Sequence, residues 1–106
     1  MNCNDWVKEV INDFQAISDA SIAKGQAAYM RNQFAFFGVK TPNRQIIQKK
    51  FFDKSLLPQK KEAFQIIEML WGKKERELHY FAQELMFKYR KSMQQQDIVF
   101  FEWMAK

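Results

Sequence analysis

The residues with the clearest chemical potential stand together at one point in the chain: Lys40, Thr41, Pro42 and Arg44. A hydroxyl residue followed by proline reads as a helix start, with Thr41 as the cap and Pro42 at the first helical position, where its missing donor costs nothing. Such a terminus presents unsatisfied amides and about half a positive charge, both of which attract an anion. With Lys40 and Arg44 beside it, the Thr41 hydroxyl and the first-turn amides predict a seat for one backbone phosphate. Arg31, Lys49, Lys50 and Lys54 extend the same cationic stretch. Tyr29 is the aromatic of interest, because its ring can stack on a base or sugar and its hydroxyl can donate to phosphate. Helical spacing alone instead makes it a core ring with its hydroxyl at the rim.

Other chemistries find no carriers. The chain has no glycine-rich phosphate loop, no nucleophile elbow and no metal-ligand pair at helical spacing. One cysteine, Cys3, and one histidine, His79, make neither a disulfide framework nor a zinc site. Cys3 lies among acidic residues, unlike an activated thiol, and His79 reads as a structural residue of a helix. Glu75, Glu77 and Glu84 sit among basic residues and read as surface pairs. No catalytic residue, metal or cofactor is assigned.

The charge distribution supports binding. Residues 1–23 carry one basic and four acidic residues, residues 24–61 carry nine basic residues against Asp53 alone, and residues 62–106 carry seven of each sign. The net +5 therefore resides in the middle third, interleaved with Tyr29, Phe34, Phe36, Phe37, Phe51 and Phe52. Cations interleaved with aromatics suit a polyanion such as nucleic acid, although a solvated helix surface has the same composition.

The elements that must position these residues are helical. In 106 residues with 47% hydrophobic content, three glycines and two prolines give too few turns for an all-β fold. Spacing predicts helices over 4–18, capped by Asn4, and over 20–34, with Ile22, Ala23, Ala27, Met30 and Phe34 inward. Residues 35–40 form an apolar connection packed onto its neighbours. Further helices are predicted from Thr41 to about Lys54 with Ile46, Ile47 and Phe51 inward, over 59–71, and over 74–92, where Glu84 and Lys88 pair. A sixth segment opens near Asp97. The expected architecture is one all-α domain over 1–106, built from antiparallel pairs of about six helices stacked as a HEAT-like solenoid. Residues 98–105 are seven-eighths apolar, so a covering surface is expected from the rest of a longer chain or a second copy. With no secretion signal and no spanning run, a cytoplasmic location is expected and a membrane is not.

Residues 27–44, Ala-Ala-Tyr-Met-Arg-Asn-Gln-Phe-Ala-Phe-Phe-Gly-Val-Lys-Thr-Pro-Asn-Arg, resemble the AlkD-like DNA alkylation repair glycosylases built from HEAT-like repeats. The likeness continues through Phe64-Gln65-Ile66-Ile67-Glu68-Met69-Leu70-Trp71, Glu75-Arg76-Glu77 and Met86-Phe87-Lys88-Tyr89-Arg90-Lys91. The resemblance implies a basic concave face for duplex DNA and hydrolysis of the glycosidic bond of cationic alkylated purines. It also implies that Tyr29 lies near the lesion. The family's Trp-Trp-x-Asp stretch, which carries the catalytic aspartate, has no counterpart here, so the chain reads as an N-terminal portion. The DNA-binding residues assigned are Tyr29, Arg31, Lys40, Thr41, Arg44 and Lys49. The rival reading is a non-catalytic HEAT-like module whose basic surface meets an acidic protein.

Overall fold

In the computed structural model, which describes residues 1–97 and Glu102, five α-helices and two short 3-10 turns carry the chain. The first helix, α1 (Cys3–Ala16), is capped two residues before the expected position, because the Asn2 side chain, rather than Asn4, accepts the Asp5 amide at 2.8 Å. Its apolar stripe buries Trp6, Val7, Val10 and Phe14, while Ile17 at the C-cap stays 45% exposed. Next come α2 (Ala20–Tyr29), α3 (Thr41–Phe51), α4 (Lys60–Trp71) and α5 (Arg76–Lys88), then 3-10 turns at Arg90–Ser92 and Gln95–Asp97. The apolar stretch 98–105 lies outside the described residues apart from Glu102.

Four helices pack in a ring: α1 rests on α3 and α4, and α5 rests on the same two. The α4–α5 pair is an antiparallel hairpin with a short turn, and its mutual packing is the most extensive in the molecule. Aromatic side chains fill the ring. Phe81 is fully buried at its centre, with the rings of Trp6, Phe14, Phe51 and Phe52 set edge-on at 5.2–6.2 Å between centroids. Edge-to-face contacts of this kind add to the area each ring removes from water. Two polar groups of the core are satisfied by loop carbonyls: the Trp6 indole donates to Leu56 at 2.9 Å, and the Tyr89 hydroxyl donates to Pro58.

The second helix differs from its neighbours. Its expected inward stripe is the correct face, but Ile22, Ala23, Ala27 and Met30 are only half covered, and no residue of the helix is fully buried. It also ends five residues early. Arg31 and Asn32 both adopt left-handed backbone conformations, at φ 56° and 59°. The Asn32 amide bonds the Ala27 carbonyl at 2.7 Å and the Arg31 amide bonds Ala28 at 3.0 Å, the pattern of a Schellman stop that usually employs glycine.

The connection over 35–40 is packed down as expected, with Phe37, Gly38 and Val39 buried. Its anchor corrects one expectation. Glu77 is no surface residue: it is 2% exposed and accepts the amides of Phe37, Gly38 and Val39 at 3.0–3.1 Å. Three charge-assisted bonds offset the cost of burying a carboxylate. Gly38 has φ +87°, and a Cβ there would lie 1.9 Å from the Asp19 carbonyl oxygen, so the segment crosses the start of α2 without room for a side chain.

Two further expectations about side-chain placement are overturned. Ile46 is 68% exposed, since the turn of α3 that buries Ile47 and Phe51 points Ile46 outward. Glu84 and Lys88 make no ion pair among the described residues, and the Lys88 ammonium instead lies 5.8 Å from the Phe52 ring centroid.

Candidate nucleic-acid interface

The start of α3 follows the connection that Glu77 holds, so a buried bond network sets its position. Lys40, not Thr41, is the N-cap: its carbonyl accepts the Arg44 amide at 3.0 Å, placing Pro42 in the second helical position. No side chain caps the terminus, and the first-turn amides therefore lack a side-chain partner. Lys40 and Thr41 are exposed there. Arg44 leaves this group, because its guanidinium runs down the helix to the Gln48 side-chain oxygen at 2.7 Å and lies 5.2 Å from the Tyr80 ring centroid. Burial lowers the Arg44 pKa from its ordinary value, opposed in turn by Glu84, Tyr80 and Glu77.

A cleft of about 620 Å³ opens between α3 and α5, lined by Gln48, the partner of Arg44, but not by Arg44 itself. Gln45, Gln48 and Lys49 line one wall, and Glu84, Lys88 and Arg90 line the other. Lys49 is exposed on that wall, whereas its neighbour Lys50 turns to α1 and pairs with Asp13 at 2.9 Å. Lys60 is likewise committed, to Asp97 at 2.7 Å and the Ser92 carbonyl. Its donated hydrogen bond holds the Asp97 carboxyl below the usual range. Part of the positive excess of residues 24–61 is therefore spent on tertiary pairing with acidic residues from both ends of the chain.

Tyr29 and Arg31 occupy a different place, the corner that ends α2. Tyr29 is 88% exposed, which rules out the core position that spacing alone allowed. Arg31 is exposed as well. Beyond this corner, Asn32, Gln33, Phe34, Lys73, Lys74 and His79 line a second open cleft of about 540 Å³ without a carboxylate among its lining residues. His79 is structural, as expected: the Lys73 carbonyl accepts from Nε2 at 2.7 Å, and Nδ1 accepts from Arg76 at 3.3 Å, since a guanidinium only donates.

Arg76 and Tyr80 escape the sequence reading as surface groups, and it names Phe34 only among the interleaved aromatics and as an inward residue, because the three come from separate segments. The Arg76 guanidinium lies 4.4 Å from the Phe34 centroid and 5.0 Å from that of Tyr80. The four-residue spacing of Arg76 and Tyr80 within one helix is the signal that finds part of this group. Among the described residues no group of three or more His, Cys, Asp or Glu side chains is placed to hold a metal, and no helix is long and apolar enough to cross a membrane.

Comparison with known proteins bears on what this cationic surface serves. The chain matches a solved structure of a predicted DNA alkylation repair enzyme from Enterococcus faecalis at 31% identity and a TM-score of 0.72, over 79% of this chain and 39% of that one. It therefore spans well under half the length of that relative. No curated protein matches the chain. A family model describing DNA alkylation repair enzymes matches residues 10–106, nearly the whole sequence with α2 to α5 and the second half of α1, and on that ground the chain belongs to the DNA alkylation repair enzyme family.

Proposed function

We propose that this chain serves DNA alkylation repair by binding duplex DNA through α3 and the facing side of α5. The observation that carries the reading is the open cleft between those helices, where the exposed cations Lys49, Lys88 and Arg90 outnumber the carboxylates Asp53 and Glu84 and the exposed Gln45 adds an amide side chain. Cations neutralise backbone phosphates and release counterions, while amide side chains donate to phosphate or sugar oxygens without reading sequence. The uncapped start of α3, with Lys40 and the unengaged Thr41 hydroxyl, supplies donors for a further phosphate. Tyr29 and Arg31, exposed at the corner of α2, reach toward the lesion-bearing strand in this reading. A cytoplasmic setting goes with it.

The chemistry proposed for the family resemblance is hydrolysis of the glycosidic bond of cationic alkylated purines, helped by a carboxylate that stabilises positive charge on the departing sugar. The sequence offers no Trp-Trp-x-Asp stretch to supply it, so this chain alone binds without releasing base. Titration of a labelled duplex at increasing salt tests the binding, with affinity falling steeply as salt rises. Lys40→Glu combined with Lys49→Glu is expected to weaken binding at least tenfold. Affinity indifferent to both salt and this pair of changes would favour the acidic-protein partner instead, and release of alkylated base by the 106-residue chain would refute the assignment of catalysis elsewhere.

A further inference from the structure

We propose that Arg44, Tyr80 and Arg76 form a clamp that takes two phosphates of one DNA strand, an inference that rests on the duplex-binding reading above and assigns its principal contact. The three side chains belong to a column that alternates ring and cation: Phe34, Arg76, Tyr80, Arg44. Both guanidiniums lie close to the same Tyr80 centroid, at 5.2 and 5.0 Å. They can therefore stand no further apart than those two distances combined, a span that reaches neighbouring phosphates of one strand.

The column is fixed before any ligand arrives. The Arg76 amide donates to the Ala35 carbonyl at 2.9 Å, which holds Phe34 against the Arg76 side chain. Arg76 also donates to His79, and Arg44 donates to Gln48. These bonds leave charge unanswered. Neither arginine makes an ion pair among the described residues, and the Arg76 Nε is buried without a hydrogen-bond partner. Glu84 and Glu77 act on Arg44 only from beyond ion-pair distance. Two half-buried guanidiniums around one ring repel each other, and aromatic faces compensate only part of that. A phosphate at each guanidinium supplies the missing countercharge, and the planar fork of arginine suits its oxygens.

The test is the salt dependence of duplex binding by the full chain. Each phosphate contact contributes about 0.9 to the slope of log affinity against log salt, so Arg44→Gln with Arg76→Gln is expected to lower the slope by nearly two. Across a fourfold rise in salt, the variant then loses about tenfold less affinity than the parent chain. Arg44→Lys with Arg76→Lys restores most of the slope, a rescue that a purely structural role of the column would not produce. Lys8→Gln with Lys61→Gln removes the same charge from α1 and α4 and leaves the slope near that of the parent. An unchanged slope in a folded Gln variant overturns the clamp while leaving duplex binding intact. Absence of salt-dependent binding by the parent chain overturns both. If the Gln variant does not fold, phenylglyoxal modification of the parent decides: duplex DNA should slow modification of Arg44 and Arg76 at least threefold, and an unaltered rate at Arg76 overturns the clamp.

Discussion

The α4–α5 hairpin and the α2 region are held by different forces. In the hairpin, Ile66, Ile67, Leu70, Leu78, Phe81, Ala82 and Leu85 are all at most 1% exposed, and apolar burial is the main source of cohesion. In the α2 region no helical residue is fully buried, and position is set by polar and conformational devices: the Asp19 cap, the left-handed corner at Arg31 and Asn32, and the Glu77 anchor for the following segment. Packing of the first kind tolerates little change in volume. A region lashed by a few specific bonds depends instead on backbone geometry, and it is this region that carries Tyr29, Arg31 and the approach to α3.

The contrast can be broken most severely at its apolar end. Phe81→Ala removes the ring against which Trp6, Phe14, Phe51 and Phe52 pack, at an expected cost of about 4 kcal/mol by denaturant unfolding, whereas Ile22→Ala on α2 costs under about 1 kcal/mol. Equal losses at the two sites would erase the distinction. Next in size, Gly38→Ala forces a Cβ into the Asp19 carbonyl at a positive φ and is expected to cost at least about 3 kcal/mol. Glu77→Ala leaves the amides of Phe37, Gly38 and Val39 without their acceptor, an expected loss of about 3 kcal/mol. Hydrogen exchange should show those three amides unprotected while the α4–α5 hairpin keeps its protection; uniform loss of protection would mean that the anchor is part of the main core.

A smaller effect concerns alkaline pH. Burial, with a contribution from Glu62, pushes the Tyr89 phenol up to about 12, above the unfolded value of about 10. The folded state therefore keeps its proton more tightly. The stabilisation is fully present below pH of about 10 and is lost as pH rises toward 12. Tyr89→Phe should cost about 1 kcal/mol at neutral pH, through the lost bond to Pro58, and should flatten the decline above pH of about 10. The smallest change has the opposite sign. Arg31→Gly relieves the left-handed strain at φ 56° and is expected to raise stability by about 0.5 kcal/mol while weakening duplex binding, measured by melting and by anisotropy. A gain in both would remove Arg31 from the interface.

Much of the architecture was legible because apolar spacing and burial share one cause. In α1, α4 and α5, Val10 and Phe14, Ala63 and Ile67, and Leu78, Phe81 and Leu85 recur three or four residues apart, and all are buried. Boundaries were less legible. No glycine marks the end of α2, and a Schellman stop built on Arg31 and Asn32 leaves no compositional trace. The assigned binding residues separate in space into a corner with Tyr29 and Arg31, a helix start with Lys40 and Thr41, a cleft wall with Lys49, and Arg44 held between Gln48 and the Tyr80 ring. Arg44 faces α5 because Gln48 and Tyr80 draw it there, and Tyr80 lies far away in the chain.

The sequence by itself determined the helical class, the apolar faces, the packed-down connection and the excess of cations in the middle third, because each follows from local spacing or composition. Only the tertiary structure decided which cations remain free and which carboxylate is buried. Lys50 is consumed by Asp13, Lys60 by Asp97, and Glu77 by three amides about forty residues away. Such pairings join residues distant along the chain, and their energies depend on distance and desolvation, quantities that exist only after the helices have packed.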